Sequence, residues 1–161
     1  MTIKLYYYLS ASECEISWFK FGGLCFRVYA GNISVIWSKA RSFCKERGGD
    51  LAVVDSEAKR KVIAIRLHNV SLRYPHVVIE KAYIGLRSFV RWQWLGGSDI
   101  PSNYWHRGEE DVFKYRESAL FMRRASAWKL ATRKKPSYHG FLCQTNERKN
   151  FSLNIDVSML V

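Results

Sequence analysis

Proline is scarce, with 3 in 161 residues, and charged residues interrupt every apolar run. No stretch approaches the roughly 20 apolar residues that a helix needs to cross a bilayer, so no membrane span is expected in this chain. There is no Gly-x-Ser-x-Gly elbow, no phosphate-cradling loop ending in Gly-Lys-Ser or Gly-Lys-Thr, and no His-Glu-x-x-His. The common hydrolase, nucleotide-binding and metalloprotease chemistries therefore lack their signatures, and no enzyme is expected. No two of the four cysteines stand in a Cys-x-x-Cys pair, which weakens zinc-ribbon and thioredoxin-like readings. Acidic residues are in deficit, 14 Asp and Glu against 26 Lys and Arg, for a net charge of +12. Apolar and aromatic residues are abundant: 48% are hydrophobic and 15% aromatic, which excludes disorder over most of the length and suits one domain with a core.

Cys14, Cys25, Cys44 and Cys143 are even in number and widely spaced, the pattern of two structural disulfides, although four cysteines allow three pairings. Disulfides persist in oxidising compartments. Three Asn-x-Ser sequons point the same way, at Asn32, Asn69 and Asn150, so an extracellular location is expected: secreted, or the ectodomain of a longer cell-surface protein. Residues 1–13 have the layout of a weak or remnant secretory signal, with an apolar run from Leu5 to Leu9 that is shorter than the usual stretch of about 7 to 15. An ordinary N-terminal strand is the equal alternative, because Tyr-rich runs favour extended structure.

Along the chain, Gly22 and Gly23 set a hairpin turn between two extended runs, which Cys14 and Cys25 can staple. Trp37, Ala40, Phe43 and Cys44 recur at helical spacing over 36–47, and Gly48-Gly49 supplies the stop. Asp55 or Ser56 caps a second helix running from Glu57 to about Leu67. His68 to Lys81 reads as a loop leading into a strand, and Tyr83 to Leu86 as a compact strand. Between Arg87 and Arg107, Trp92, Trp94, Tyr104 and Trp105 are dense enough to order a loop-rich half of the domain. Three strand-like pieces follow, at 119–122, 127–130 and 138–144, with a tail of no assigned role at 145–161.

The ordered set of these features resembles the C-type lectin-like domain in its long form with an N-terminal hairpin disulfide, over residues 14–144. The matching pieces are Cys14-x3-Trp18 with Cys25, Trp37-Ser-Lys-Ala-Arg-Ser-Phe-Cys44, Gly49-Asp-Leu-Ala-Val-Val and Tyr83-Ile-Gly-Leu. Further on stand Trp94-x2-Gly97-Ser98, Asn103-Tyr-Trp105-x2-Gly108-Glu109 and Phe141-Leu-Cys143. The resemblance implies an α+β fold of two helices flanking small antiparallel sheets with a long irregular loop region that binds ligands. It also implies the pairing of Cys14 with Cys25 and of Cys44 with Cys143.

Departures from the family pattern bear on function. A further disulfide usual in the family would fall at Ala119 and Arg133, and both partners are missing together. Sugar-binding members hold calcium with a Glu-Pro-Asn or Gln-Pro-Asp motif, a later Glu, and Trp-Asn-Asp on a strand. The matching positions are Glu109-Glu110-Asp111, Glu117 and Trp128-Lys129-Leu130. Lys129 brings an ammonium there and Leu130 no donor atom, so no calcium is expected at the sugar site and no other cofactor is implied. Lys129 could take the ion's electrostatic place against Glu109 or Glu117; unpaired surface charge is the plain alternative.

Eight cations, Lys114, Arg116, Arg123, Arg124, Lys129, Arg133, Lys134 and Lys135, are opposed over that stretch only by Glu117. Arg meets sulfate and carboxylate through paired hydrogen bonds, and clustered cations concentrate polyanions. The expected partner is a protein or a sulfated, anionic glycan, with Arg123, Arg124, Lys129, Arg133, Lys134 and Lys135 as candidate contacts. A solvated basic face is the bland alternative. A calcium-dependent lectin with a rebuilt site and a basic nucleic-acid binder are the competing functions; paired cysteines and sequons argue against nucleic acid.

Overall fold

The computed structural model describes residues 14–30, 35–73, 79, 81–88, 91–107, 119–123, 128–132 and 139–147. The signal-like segment, Asn32 and Asn150 lie outside these residues.

The first described strands form a hairpin of β1 (Phe19–Phe21) and β2 (Leu24–Tyr29), paired through Phe21 and Leu24. The two residues between them are Gly22 and Gly23, with φ of 57° and 76°. A two-residue turn of this hand needs positive φ at both positions, which glycine adopts without a Cβ clash. Cys14 is bonded to Cys25, with Cα atoms 5.5 Å apart, closing the segment before β1 onto β2.

Helix α1 (Trp37–Lys45) buries Ala40 and Cys44. It ends where the Gly48 N–H donates to the Lys45 carbonyl (3.0 Å) and the Gly49 N–H to the Cys44 carbonyl (3.1 Å), nested bonds that cap the last turn. Gly48 has φ of +75°, and a Cβ on Gly49 would sit 2.1 Å from the Gln144 carbonyl oxygen on the passing strand. Gly49→Ala is expected to destabilise the fold by about 1 to 3 kcal/mol, the usual cost of forced overpacking, as a lowered urea midpoint. An unchanged midpoint would show that this close approach does not constrain the chain.

After β3 (Asp50–Leu51), the Lys59 N–H donates to Ser56 Oγ at 3.2 Å, so Ser56 caps α2 (Glu57–Arg73). The sequence expectation placed the end of this helix near Leu67, with a loop from His68 onward; Asn69, Val70 and Ser71 are indeed indifferent helix formers. Tertiary packing overrides that preference: Leu67 and Ser71 are buried on the same face as Ile63, and the helix continues through Arg73, just short of Tyr74-Pro75. Asn69 is thus exposed on α2 rather than in a loop.

The remaining strands are β4 (Lys81–Ser88), β5 (Trp92–Trp94), β6 (Ala119–Arg123), β7 (Lys129–Thr132) and β8 (Gly140–Asn146). β7 begins two residues later than the 127–130 reading and β8 runs beyond Gln144. Among the described residues the strands form one hydrogen-bonded sheet, ordered β1-β2-β8-β4-β6-β7, with β3 on β8 and β5 on β4. Its two antiparallel parts are joined by a short parallel pairing, Ala82 with Gly140 and Tyr83 with Phe141.

The period of two along the central strands divides the core between the helices. Ala82, Ile84 and Leu86 of β4 and Leu142 of β8 turn to one side, with Ile63 and Leu67 of α2. Tyr83, Phe141 and Cys143 turn to the other, with Ala40 and Cys44 of α1. In the middle of that second cluster Cys44 is bonded to Cys143, with Cα atoms 5.4 Å apart. The Arg41 guanidinium forks onto the Asp50 carboxylate, with two contacts of 3.0 Å, and ties α1 to β3.

Candidate ligand-binding face

The candidate face is built where β7 begins. Trp128 and Leu130 are buried, 6% and 1% exposed, while Lys129 between them is half-buried. Trp128 has φ of 58°, an uncommon backbone state for a bulky residue that persists where packing over-determines it. Packing on Leu130 comes from the aromatic cluster: Trp105 bridges to it, and the His106 N–H donates to its carbonyl at 2.8 Å. At the position where the calcium-binding pattern requires a carboxylate, the chain has an aliphatic side chain directed into the core.

Lys129 shares its field with the start of α2. Glu57 has its carboxyl held below the usual range, first by its hydrogen bonds from Arg60, against which burial is the next effect, and then by the charges of Arg60, Lys61 and, last, Lys129. The Arg60 guanidinium engages both Glu57 oxygens, at 2.5 and 2.8 Å. Tyr104 beside them has its hydroxyl pushed up, chiefly by burial and then by Glu57. The expected counter-charges Glu109 and Glu117 lie outside the described residues; among the described residues, Glu57, which the sequence reading did not single out, feels the charge of Lys129.

Of the candidate contacts, the fold brings Arg123 and Lys129 together: β6 and β7 pair them directly, and β4 adds Lys81 opposite Arg123. Glu110, Asp111, Arg124, Arg133, Lys134 and Lys135 also lie outside the described residues. Ala119 opens β6, and the last described pair of that ladder, Leu120 with Thr132, stands one residue inside the two positions that lack the further disulfide. Lys81 was missed by the sequence reading, because its place in the row depends on strand register and not on proximity in the chain. Trp92, Trp94 and Trp105 are all buried, Trp92 edge-on to Trp105 with ring centres 5.7 Å apart, so they serve the core rather than a sugar.

The family model for the lectin C-type domain matches residues 33–145. The chain belongs to this family. Its members are non-enzymatic binding modules, and the domain is accordingly a lectin-like module for carbohydrate or another ligand. Human lymphocyte antigen 75 is 29% identical over 106 residues, 64% of this chain and 6% of that protein. Human C-type mannose receptor 2 is 30% identical over 105 residues, 63% of this chain and again 6% of the relative. The chain thus spans a small fraction of these curated relatives.

Among solved structures, human lithostathine superposes with a TM-score of 0.72 at 14% identity, covering 91% of this chain and 100% of that one. The SPL-1–GlcNAc complex gives 0.70 at 19% identity, covering 83% and 95%. A calcium-independent type II antifreeze protein gives 0.65 at 20% identity, covering 84% and 96%. At such identities these likenesses establish the α+β C-type lectin fold. Both expected disulfide pairings are formed. No helix among the described residues is long and apolar enough to cross a membrane.

Proposed function

We propose that this domain is an extracellular binding module that recognises a protein or a sulfated, anionic glycan without calcium at the sugar site. Leu130 carries the reading. Calcium takes about 6 to 8 oxygen ligands, and the strand that would supply two of them offers a buried hydrocarbon and, at Lys129, a cation that repels the metal. The residues present do not fit the ion. A calcium-independent member among the fold's neighbours supports the same view. Two formed disulfides suit an oxidising compartment and disfavour a cytosolic or nuclear nucleic-acid binder. Asn69 adds to this: it lies on α2 between Ile65 and Leu72, which are 59% and 62% exposed, at helical spacings that place all three on one face. A glycan on Asn69 would cover that apolar stripe.

The net charge of +12 favours an anionic partner. The test is a glycan array that includes sulfated glycosaminoglycans, at about 0.15 M salt, where exposed charges are screened beyond roughly 8 Å, first with calcium and then with chelator. Chelator-resistant binding to sulfated structures is expected. Binding to neutral sugars that disappears with chelator would overturn the reading, and silence on every glycan would leave a protein as the ligand.

A further inference from the structure

Among the described residues the large apolar side chains that stand exposed are Ile16, Ile65 and Leu72, and the last two share one face of α2. Successive helix residues turn by about 100°, so Asn69, which follows Ile65 by one turn and precedes Leu72 by nearly one, falls on the same face. Asn69 is exposed and opens the sequon Asn69-Val70-Ser71. The last residue of the sequon is on the other side of the helix, because two positions amount to about 200° of turn. Ser71 is 8% exposed, and its hydroxyl donates to the Leu67 carbonyl at 3.1 Å on the core face. In folded α2 the acceptor amide and the hydroxyl that a sequon requires therefore face opposite ways. The segment has little helical preference of its own: Asn69, Val70 and Ser71 are indifferent formers, and the burial of Leu67 and Ser71 holds them in the helix. Before that packing is made, the segment is free to extend and to offer both groups to one enzyme site.

We propose that Asn69 carries an N-linked oligosaccharide, that it is attached before α2 closes on the core, and that it then lies over Ile65 and Leu72; the inference rests on the extracellular reading above. The transfer is a displacement at the anomeric carbon of a lipid-diphosphate-linked oligosaccharide. Nδ2 of Asn69 forms the new C–N bond, the C–O bond to the diphosphate breaks, and the amide proton passes to a base of the transferase. Once the helix has formed, Ser71 is withdrawn into the core face and the sequon is closed to that enzyme, so the modification belongs to synthesis and not to the finished domain. The attachment point stands within the stripe, about 6 Å along the axis from Ile65 and about 4.5 Å from Leu72 at 1.5 Å per residue. A bulky, soluble cover at that point takes the aliphatic pair out of contact with other molecules.

The full chain is directed into the secretory pathway of cultured eukaryotic cells and mapped by peptide mass after an amidase that releases N-glycans and leaves Asp at each modified position. Asp is expected at position 69. Asn69→Gln should lose that glycan, and so should Ser71→Ala, which keeps the acceptor. Both bare variants should self-associate more than the unaltered chain, and adding Ile65→Ser with Leu72→Ser should reverse this; equal association with and without the glycan would overturn its covering role. For the timing, the unglycosylated full chain, folded and disulfide-bonded in one sample and reduced and alkylated in another, is given to solubilised microsomal transferase with lipid-linked donor. The folded sample should be modified at Asn69 at least about tenfold less, because the Ser71 hydroxyl is reached only by opening the last turns of α2. Equal modification of the two, or none of the unfolded sample, would overturn the proposal. A secreted, disulfide-bonded chain with Asn69 bare would overturn it too and leave the extracellular reading in place. Free thiols together with no glycan at Asn32, Asn69 or Asn150 would sink that reading, and the proposal with it.

Discussion

Replacing Cys44 and Cys143 together with alanine is expected to lower the stability of the domain by about 4 to 5 kcal/mol, the value the chain-entropy model assigns to a loop of about 100 residues. The two cysteines are 99 positions apart, and the bond joins α1 to β8 at the centre of the core cluster on that side. Replacing Cys14 and Cys25 closes off a much shorter constraint, 11 positions, for which the same model gives about 3 kcal/mol. Domains of this size are stable by only about 5 to 15 kcal/mol, so the first variant approaches the threshold of folding at body temperature whereas the second does not. Urea unfolding of the two variants beside the unaltered chain measures the difference. A smaller loss for the Cys44–Cys143 pair than for the hairpin pair would mean that residual structure in the unfolded chain, and not loop closure, sets the value of these bonds.

Much of this architecture was legible because it rests on local rules. Two adjacent glycines between extended runs can form a tight hairpin with little else required, and the spacing of Trp37, Ala40, Phe43 and Cys44 determines the buried face of α1 regardless of what lies beneath. Where non-local packing decides, local reading fell short. The last turns of α2 depend on burying Leu67 and Ser71. The joining of two antiparallel parts into one sheet depends on a parallel pairing of strands more than 50 residues apart in sequence. At the candidate face the same division holds. The burial of Leu130 on the strand was foreseeable from residue type, and with it the proposal that this strand offers calcium neither a carboxylate nor an amide oxygen. That Lys81 stands in line with Arg123 and Lys129 was not readable, because the partners of a strand are chosen by the core-facing residues between its charges.

Rebuilding the Trp-Asn-Asp pattern with Lys129→Asn and Leu130→Asp puts the calcium argument to its hardest test. The expected result is a domain destabilised by about 3 to 5 kcal/mol, since a large buried aliphatic side chain is exchanged for a smaller one whose carboxyl must lose its water. Leu130 is 1% exposed, among Trp105, Trp128 and Ile84 of the same core cluster, and its carbonyl already accepts from His106. An Asp carboxyl there is pushed above its ordinary value near 3.9, because burial disfavours the charged form. The folded state then holds its proton more tightly than the unfolded chain does. Stability of the variant should therefore fall as pH rises above about 4, and the deficit relative to the unaltered chain should narrow as pH is lowered towards that value. Thermal unfolding at several pH values, with calcium and with chelator, reads both effects. Insensitivity to calcium is expected at every pH. If calcium instead restores the variant, the proposed calcium independence rests on these two side chains alone and not on the packing of the core around them.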